Sequence, residues 1–276
     1  MPHVRPTSKT LFSFLLITAL VSLSWAQETS NSHDRGNFYL VEKNYPGAID
    51  GYNLYVPKKE NINREGYPVI VFLQGGLGVG GEVEKILNWA LPKLLADNGT
   101  SNSELNELLL DTFVVIMPHI EQGQFYQNEE AMRMILKEVE TEFSIDMNRI
   151  YLTGLSRGGH GSWGLACRMN DVFAAVAPIC GGSHGIDNYN RLATLPIWVT
   201  HNTGDRTVSY TRSRDIVRRL NGYKNISFQR TATLEEADYK SEDHIFTSTV
   251  SDSHDAWTDF YTHADVYRWF LKYKKE

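Results

Sequence analysis

From residue 67 onward the chain alternates between two hydrophobic rhythms. Residues 67–73 (YPVIVFL) and 112–117 (TFVVIM) are nearly continuous apolar runs, the pattern of strands covered on both faces. Residues 149–153 (RIYLT), 174–179 (AAVAPI) and 195–200 (LPIWVT) continue it, and residues 226–231 read as a last strand. Between them the spacing turns helical. Residues 82–95 can put Ile86, Trp89, Ala90 and Leu94 on one face. Residues 129–143 do the same with Met132, Ile135, Leu136, Val139 and Phe143. Residues 157–168 and 210–220 are further helices, and 263–273 closes the chain. Residues 37–45 and 52–57 are early strands with Pro46-Gly47 between them. The polar stretch 98–107 is expected to be an exposed loop, and 234–251 a polar insertion that contains His244.

Strands alternating with helices predict an α/β domain: a mostly parallel central sheet with helices on both faces. Right-handed crossovers then gather the strand C-termini on one edge, where sites form. No interdomain linker or repeat is visible, so residues 27–276 read as one catalytic domain.

The motif that carries chemistry is YLTGLSRGG, which holds G-x-S-x-G as Gly154-Leu155-Ser156-Arg157-Gly158. The pentapeptide alone is weak, and an ordinary loop serine is the plain alternative. Its context is specific: an apolar strand precedes it and a helix-compatible stretch follows, as a nucleophile on a tight strand-to-helix turn requires.

Around that motif RIYLTGLSRGGHGSWGLA and FAAVAPICGG resemble exported bacterial esterases often labelled predicted peptidases. They are also similar to the wider carboxylesterase, feruloyl-esterase and polyhydroxybutyrate-depolymerase-like branch of the α/β hydrolases. The resemblance runs from about Asn37 to the C-terminus and is specific around three segments. It implies an α/β-hydrolase fold and a triad in the chain order serine, acid, histidine. THNTGDRTV then places Asp205 as the acid, with His201 matching a structural histidine. Gly-Asp would equally suit a turn. SDSHDAWTDFY places His254 as the base, with Ser253 where glycine is common. Asp252 and Asp255 compete for the acid's role, and His263 and His244 for the base's. The oxyanion donors implied are the backbone N–H groups of Arg157 and Gly76. Gly76 lies in FLQGGLG, where Gln74 replaces the usual histidine. Leu77, Phe125, Tyr126, His160 and Trp257 are candidates for the substrate pocket. Trp163 is expected in the core.

No large lid is expected, because only about 15 residues separate the strand after the nucleophile helix from the strand before the acid, too few for a multi-helix cap. Ester hydrolysis through an acyl-enzyme is the first reading, on aryl, acetyl or feruloyl esters attached to carbohydrate. A serine peptidase, a polyester depolymerase and a non-catalytic binding protein are the alternatives. No HExxH or comparable ligand spacing points to a metal, and no cofactor motif occurs.

Composition adds the compartment. Arg5 and Lys9 precede a 13-residue apolar run at 11–23, and Ser24-Trp25-Ala26 offers a cleavage site. Residues 1–26 therefore read as a signal peptide, and the protein as secreted or periplasmic. The run is shorter than the roughly 20 residues of a membrane span. Without Arg5 and Lys9 the chain has 25 basic against 33 acidic residues, a formal charge of −8 that disfavours nucleic acid and anionic lipid as partners. Cys167 and Cys180 are expected as free buried thiols, with a disulfide the lesser alternative.

Overall fold

The computed structural model describes residues 26–58, 65–76 and 81–276. Residues 1–25 of the expected signal peptide, and the pocket candidate Leu77, lie outside the described residues.

Ten strands form one sheet: β1 (Gln27–Glu28), β2 (Gly36–Glu42), β3 (Ile49–Pro57), β4 (Tyr67–Leu73), β5 (Val114–Ile120), β6 (Ile145–Leu155), β7 (Ala175–Ile179), β8 (Ile197–Thr200), β9 (Gln229–Thr231) and β10 (His244–Thr247). Their order is β1-β2-β3-β5-β4-β6-β7-β8-β10-β9. β1 to β3 run antiparallel, and β3 meets β5 antiparallel. From β5 to β9 every neighbouring pair is parallel. Side-chain alternation divides each central strand between two cores. On one face Val69, Val71, Ile150, Leu152 and Val199 pack under the helices α3 (Glu129–Glu142), α4 (Arg157–Arg168) and α6 (Thr211–Leu220). On the other, Ile70, Phe72, Tyr151, Ala177 and Trp198 meet α1 (Ala90–Ala96), α2 (Ser103–Leu110), α7 (Thr258–Tyr261) and α8 (Ala264–Leu271). This is the α/β-hydrolase arrangement, and among the described residues it has no large lid insertion. Between β7 and β8 stands only the four-residue helix α5 (Tyr189–Leu192), anchored by buried Leu192.

Three sequence expectations need correction. The helix expected at 82–95 is two pieces, a 3-10 segment Val83–Asn88 and α1. Trp89 between them is extended, at φ −136° and ψ 144°. Pro92 gives the reason: it lacks an N–H, its ring clashes with the carbonyl four residues back, and it must sit in a first turn. The expected loop 98–107 contains the start of α2. Asn102 accepts hydrogen bonds from the Glu104 and Leu105 amides as N-cap, and Leu105, Leu109 and Leu110 are buried. The polar insertion 234–251 carries β10, which lies between β8 and β9 with Ile245 and Phe246 fully buried. Thus His244 is a half-buried strand residue. The helix expected at 263–273 is present as α8, and the short α7 precedes it.

Candidate active site

The parallel strands end on one edge, and three of those ends build the site. β6 runs through Gly154 and Leu155 into Ser156, and α4 starts at the next residue. Ser156 sits at φ 54° and ψ −114°, a conformation that side-chain-bearing residues rarely adopt. Neighbours hold it there. Its N–H donates to Ile179 O at 3.0 Å, with Cys180 Sγ at 3.3 Å. The turn also needs its glycines. A Cβ on Gly158 would come within 2.0 Å of Leu73 O, and one on Gly154 within 2.7 Å of Gly158 O. α4 therefore lies against the ends of β4 and β6, and its first N–H groups have no intrahelical acceptor. Arg157 supplies the first of them, while its guanidinium donates to Gly123 O at 2.5 Å.

Asp205 follows β8. Its side chain is buried, and its Oδ1 accepts from the amides of Thr207 at 2.8 Å and Val208 at 3.0 Å. Oδ2 faces His254 Nδ1 at 2.6 Å, and His254 Nε2 faces Ser156 Oγ at 2.9 Å. Burial pushes the Asp205 carboxyl up. The His254 hydrogen bond and the Val208 and Thr207 amides outweigh it and hold the group below its ordinary value. An ionised Asp205 accepts only, so Nδ1 carries the proton and Nε2 is left to accept from the serine hydroxyl. The competing carboxylates are engaged elsewhere. Asp252 pairs with Arg206 at 3.0 Å, and Asp255 receives the Trp257 and Thr258 amides. The loop carrying His254 is pinned by Asn202, whose Nδ2 donates to Ser253 O and Asp255 O.

His201 is buried beneath Asp205, 3.3 Å from Oδ2, with Nδ1 against Ser213 Oγ and Nε2 against Val208 O, both at 2.8 Å. His263 and His244 stand away from Ser156, against Glu235 and Leu195 O. Ligand atoms of Cys180, Asp205 and His254 lie within 4.8 Å of one another. A metal there would have to take the His254 and Asp205 atoms from each other, and burial keeps the Cys180 thiol protonated by pushing its pKa well above the usual thiol range. The donor set fits a proton relay better than an ion. Cys167 and Cys180 are free and buried.

Ser156 and His254 open onto a cleft of about 490 Å³, part of it continuous with solvent. Gly75, Gly76 and Gln74 line one side; Gln74 is buried and donates to Ile120 O at 3.3 Å, which ties the loop after β4 to the end of β5. Phe72, Ile86, Leu155, Trp89 and Trp257 make the rest apolar. Trp257 also meets the His254 ring edge-to-face, with centroids 5.3 Å apart. The sequence reading missed Trp89, Ile86 and Phe72. Trp89 is 51% exposed although it was expected on a buried helix face, and the break ahead of Pro92 turns it to the cleft.

The remaining pocket candidates fall elsewhere. Phe125 is fully buried against Gly161 in the α3–α4 core, because a glycine on α4 leaves room for its ring. Tyr126 packs on Gly164 and Gly185 and borders a shallow surface depression with Arg133 and Arg168. His160, one turn along α4 from Ser156, pairs its Nδ1 with that of His184 at 3.1 Å. None of the three lines the Ser156 cleft. Trp163 is core, as expected.

Comparison with known proteins agrees with this architecture. No family model matches the chain. A bifunctional acetylxylan esterase/xylanase of Neocallimastix patriciarum is 29% identical over 112 residues, which is 38% of this chain and 16% of that protein. The chain thus spans under a fifth of that relative's length. A thermostable esterase aligns with a TM-score of 0.66 at 24% identity, over 88% of this chain and 64% of its own. The feruloyl esterase module from Clostridium thermocellum, complexed with sinapinate, aligns with a TM-score of 0.65 at 15% identity, over 91% and 92%. At such identities the likeness is one of fold.

Proposed function

We propose that the chain is a serine carboxylic-ester hydrolase working through an acyl-enzyme. The observation that carries this reading is the unbroken contact Ser156 Oγ–His254 Nε2–His254 Nδ1–Asp205 Oδ2, set at a strained turn and open to a cleft. Ser156 attacks the ester carbonyl while His254 takes its proton, then returns it to the leaving alcohol. Asp205 fixes the imidazole tautomer and stabilises its cationic form. The backbone N–H of Arg157, at the start of α4, and that of Gly76 are the assigned donors to the tetrahedral oxygen. Water then releases the acid by the same relay.

The cleft's wall favours a flat or apolar acyl group, since Trp89 and Trp257 offer large faces with little conformational freedom to lose. Aryl, acetyl and feruloyl esters on carbohydrate are the substrate classes proposed. They are consistent with what the acetylxylan esterase/xylanase and the feruloyl esterase module are named for. A peptidase is the second reading, since the same triad can cleave amides. With a signal peptide in residues 1–26 the protein acts outside the cytoplasm, and exported material should begin at Gln27 by mass spectrometry.

Ser156→Ala should remain folded and lose nearly all turnover of p-nitrophenyl acetate and methyl ferulate. An organophosphonate should label the unaltered protein once, at Ser156. Labelling at another residue, or near-normal turnover in the variant, would overturn the assignment. Faster cleavage of a peptide anilide than of every ester would favour the peptidase.

A further inference from the structure

The loops that hold the acid and the base lie side by side. β8 and β10 pair in parallel up to Thr200 and Thr247, and the pairing continues past their ends. The His201 amide donates to Thr247 O at 3.1 Å, that of Thr203 to Thr249 O and that of Gly204 to Ser251 O, both at 2.9 Å. Among the described residues the backbone pairing of the two loops stops there, short of His254. Residues 253–255 belong to no helix or strand.

His254 nevertheless has to be closely placed. Its ring presents Nδ1 to Asp205 Oδ2 at 2.6 Å and Nε2 to Ser156 Oγ at 2.9 Å, and these partners follow two different strands, β8 and β6. Two side-chain torsions can meet both partners only if the main chain at 254 is already in position.

Asn202 supplies that position. It is only 5% exposed, and its Nδ2 donates to Ser253 O at 2.9 Å and to Asp255 O at 3.0 Å, the carbonyls on either side of His254. An amide nitrogen carries two hydrogens, one for each carbonyl, so the contacts also decide which way the amide faces. Among the described residues no other group donates to these two oxygens. The carbonyl of Asn202 in turn accepts from the Asp205 amide at 3.3 Å. One buried residue thus ties the backbone of the base to the backbone of the acid without touching the reacting atoms.

We propose that Asn202 is a positioning residue of the relay: it sets the main chain of His254 so that the ring bridges Asp205 and Ser156. The assignment rests on the relay read above. It bears on acylation and deacylation alike, because the same ring moves the proton in both.

The test compares the full mature chain with its Asn202→Ala variant, well below the melting transition of each. On p-nitrophenyl acetate, kcat and kcat/KM should fall together by roughly 10²-fold, the cost of a misplacement of about 1 Å, with KM unchanged. A proton shared by an imidazole nitrogen and a carboxylate gives a far-downfield NMR signal, which the unaltered protein should show and the variant should lose. Arg206→Ala removes the exposed Arg206–Asp252 pair between the same two loops and should change neither readout. Should Asn202→Ala fold poorly, Asn202→Ser, whose single hydroxyl hydrogen cannot meet both carbonyls, should show the same losses. A folded variant that lowers only the urea midpoint, keeping kcat and the signal, would overturn the proposal and leave the ester reading standing. An equal loss in Arg206→Ala would overturn it too. Loss of the signal in Asn202→Ala, from a protein that cleaves no ester, would support the role of Asn202 and overturn the ester reading instead.

Discussion

Ser156, Asp205 and His254 were nameable from sequence because each lies in a short segment whose order along an α/β chain is fixed. The structure brings the three into hydrogen-bond contact across 98 residues of separation. Of the cleft's aromatic wall only Trp257 was nameable, because which other aromatic faces it is decided by packing. Phe125 and Trp89 are similar letters in similar surroundings, yet one fills the gap over Gly161 and the other is turned out by Pro92. Asp205→Asn should leave the fold intact and cut kcat by roughly 10⁴-fold, because an amide holds the wrong imidazole tautomer. Steady-state rates on p-nitrophenyl acetate check it, and a loss below tenfold would point to another acid. His160 yields a pH prediction. Burial pushes its pKa down to about 4, against a hydrogen bond to Gly182 that opposes the shift; the charges of His184 and Arg212 add to it. The unfolded chain binds this proton near 6.5 and the folded one only near 4. Stability must therefore fall as pH drops through that window. Urea midpoints should decline between pH 6.5 and about 4, and His160→Gln should flatten that decline.

Elements show the same division between what pattern reveals and what context imposes. The central strands β4, β5, β6 and β7 are legible because two covered faces demand continuous apolar runs. β9 falls within the strand expected at 226–231, whereas β10 is four residues set in a polar stretch that reads as loop, and pairing with β8 and β9 makes it a strand. α2 was missed because SELNELLL follows a polar run, and its signal is the cap. The Asn102 side chain receives two amides, and the leucines after it reach the core. Asn102→Ala should cost about 1 kcal/mol of unfolding free energy, as measured by denaturant melts, while leaving ester turnover unchanged. No change in midpoint would mean that packing of the leucines alone defines this helix.

At the scale of the molecule, the antiparallel edge β1–β3 and the parallel body share one sheet, and the two cores on its faces follow from side-chain alternation along each strand. The span between β7 and β8 holds only four helical residues, so the cleft stays open to solvent. Rate should rise hyperbolically with a short soluble ester and continue smoothly where a longer one forms micelles; a jump there would reveal a moving cover. Among the described residues no helix is long and apolar enough to cross a membrane.

The strand order also sets a timetable. β10 lies inside β9, so β9 has nothing to pair with until residues 244–247 exist. During synthesis β8 is a bare edge through some forty further residues, able to pair with a stranger. His254 emerges only after β10 does. Ser156 and Asp205 are thus in place, beside an uncovered strand edge, before His254 arrives. His254 comes within reach of Ser156 and Asp205 at nearly the same moment that β10 and β9 cover the edge of β8.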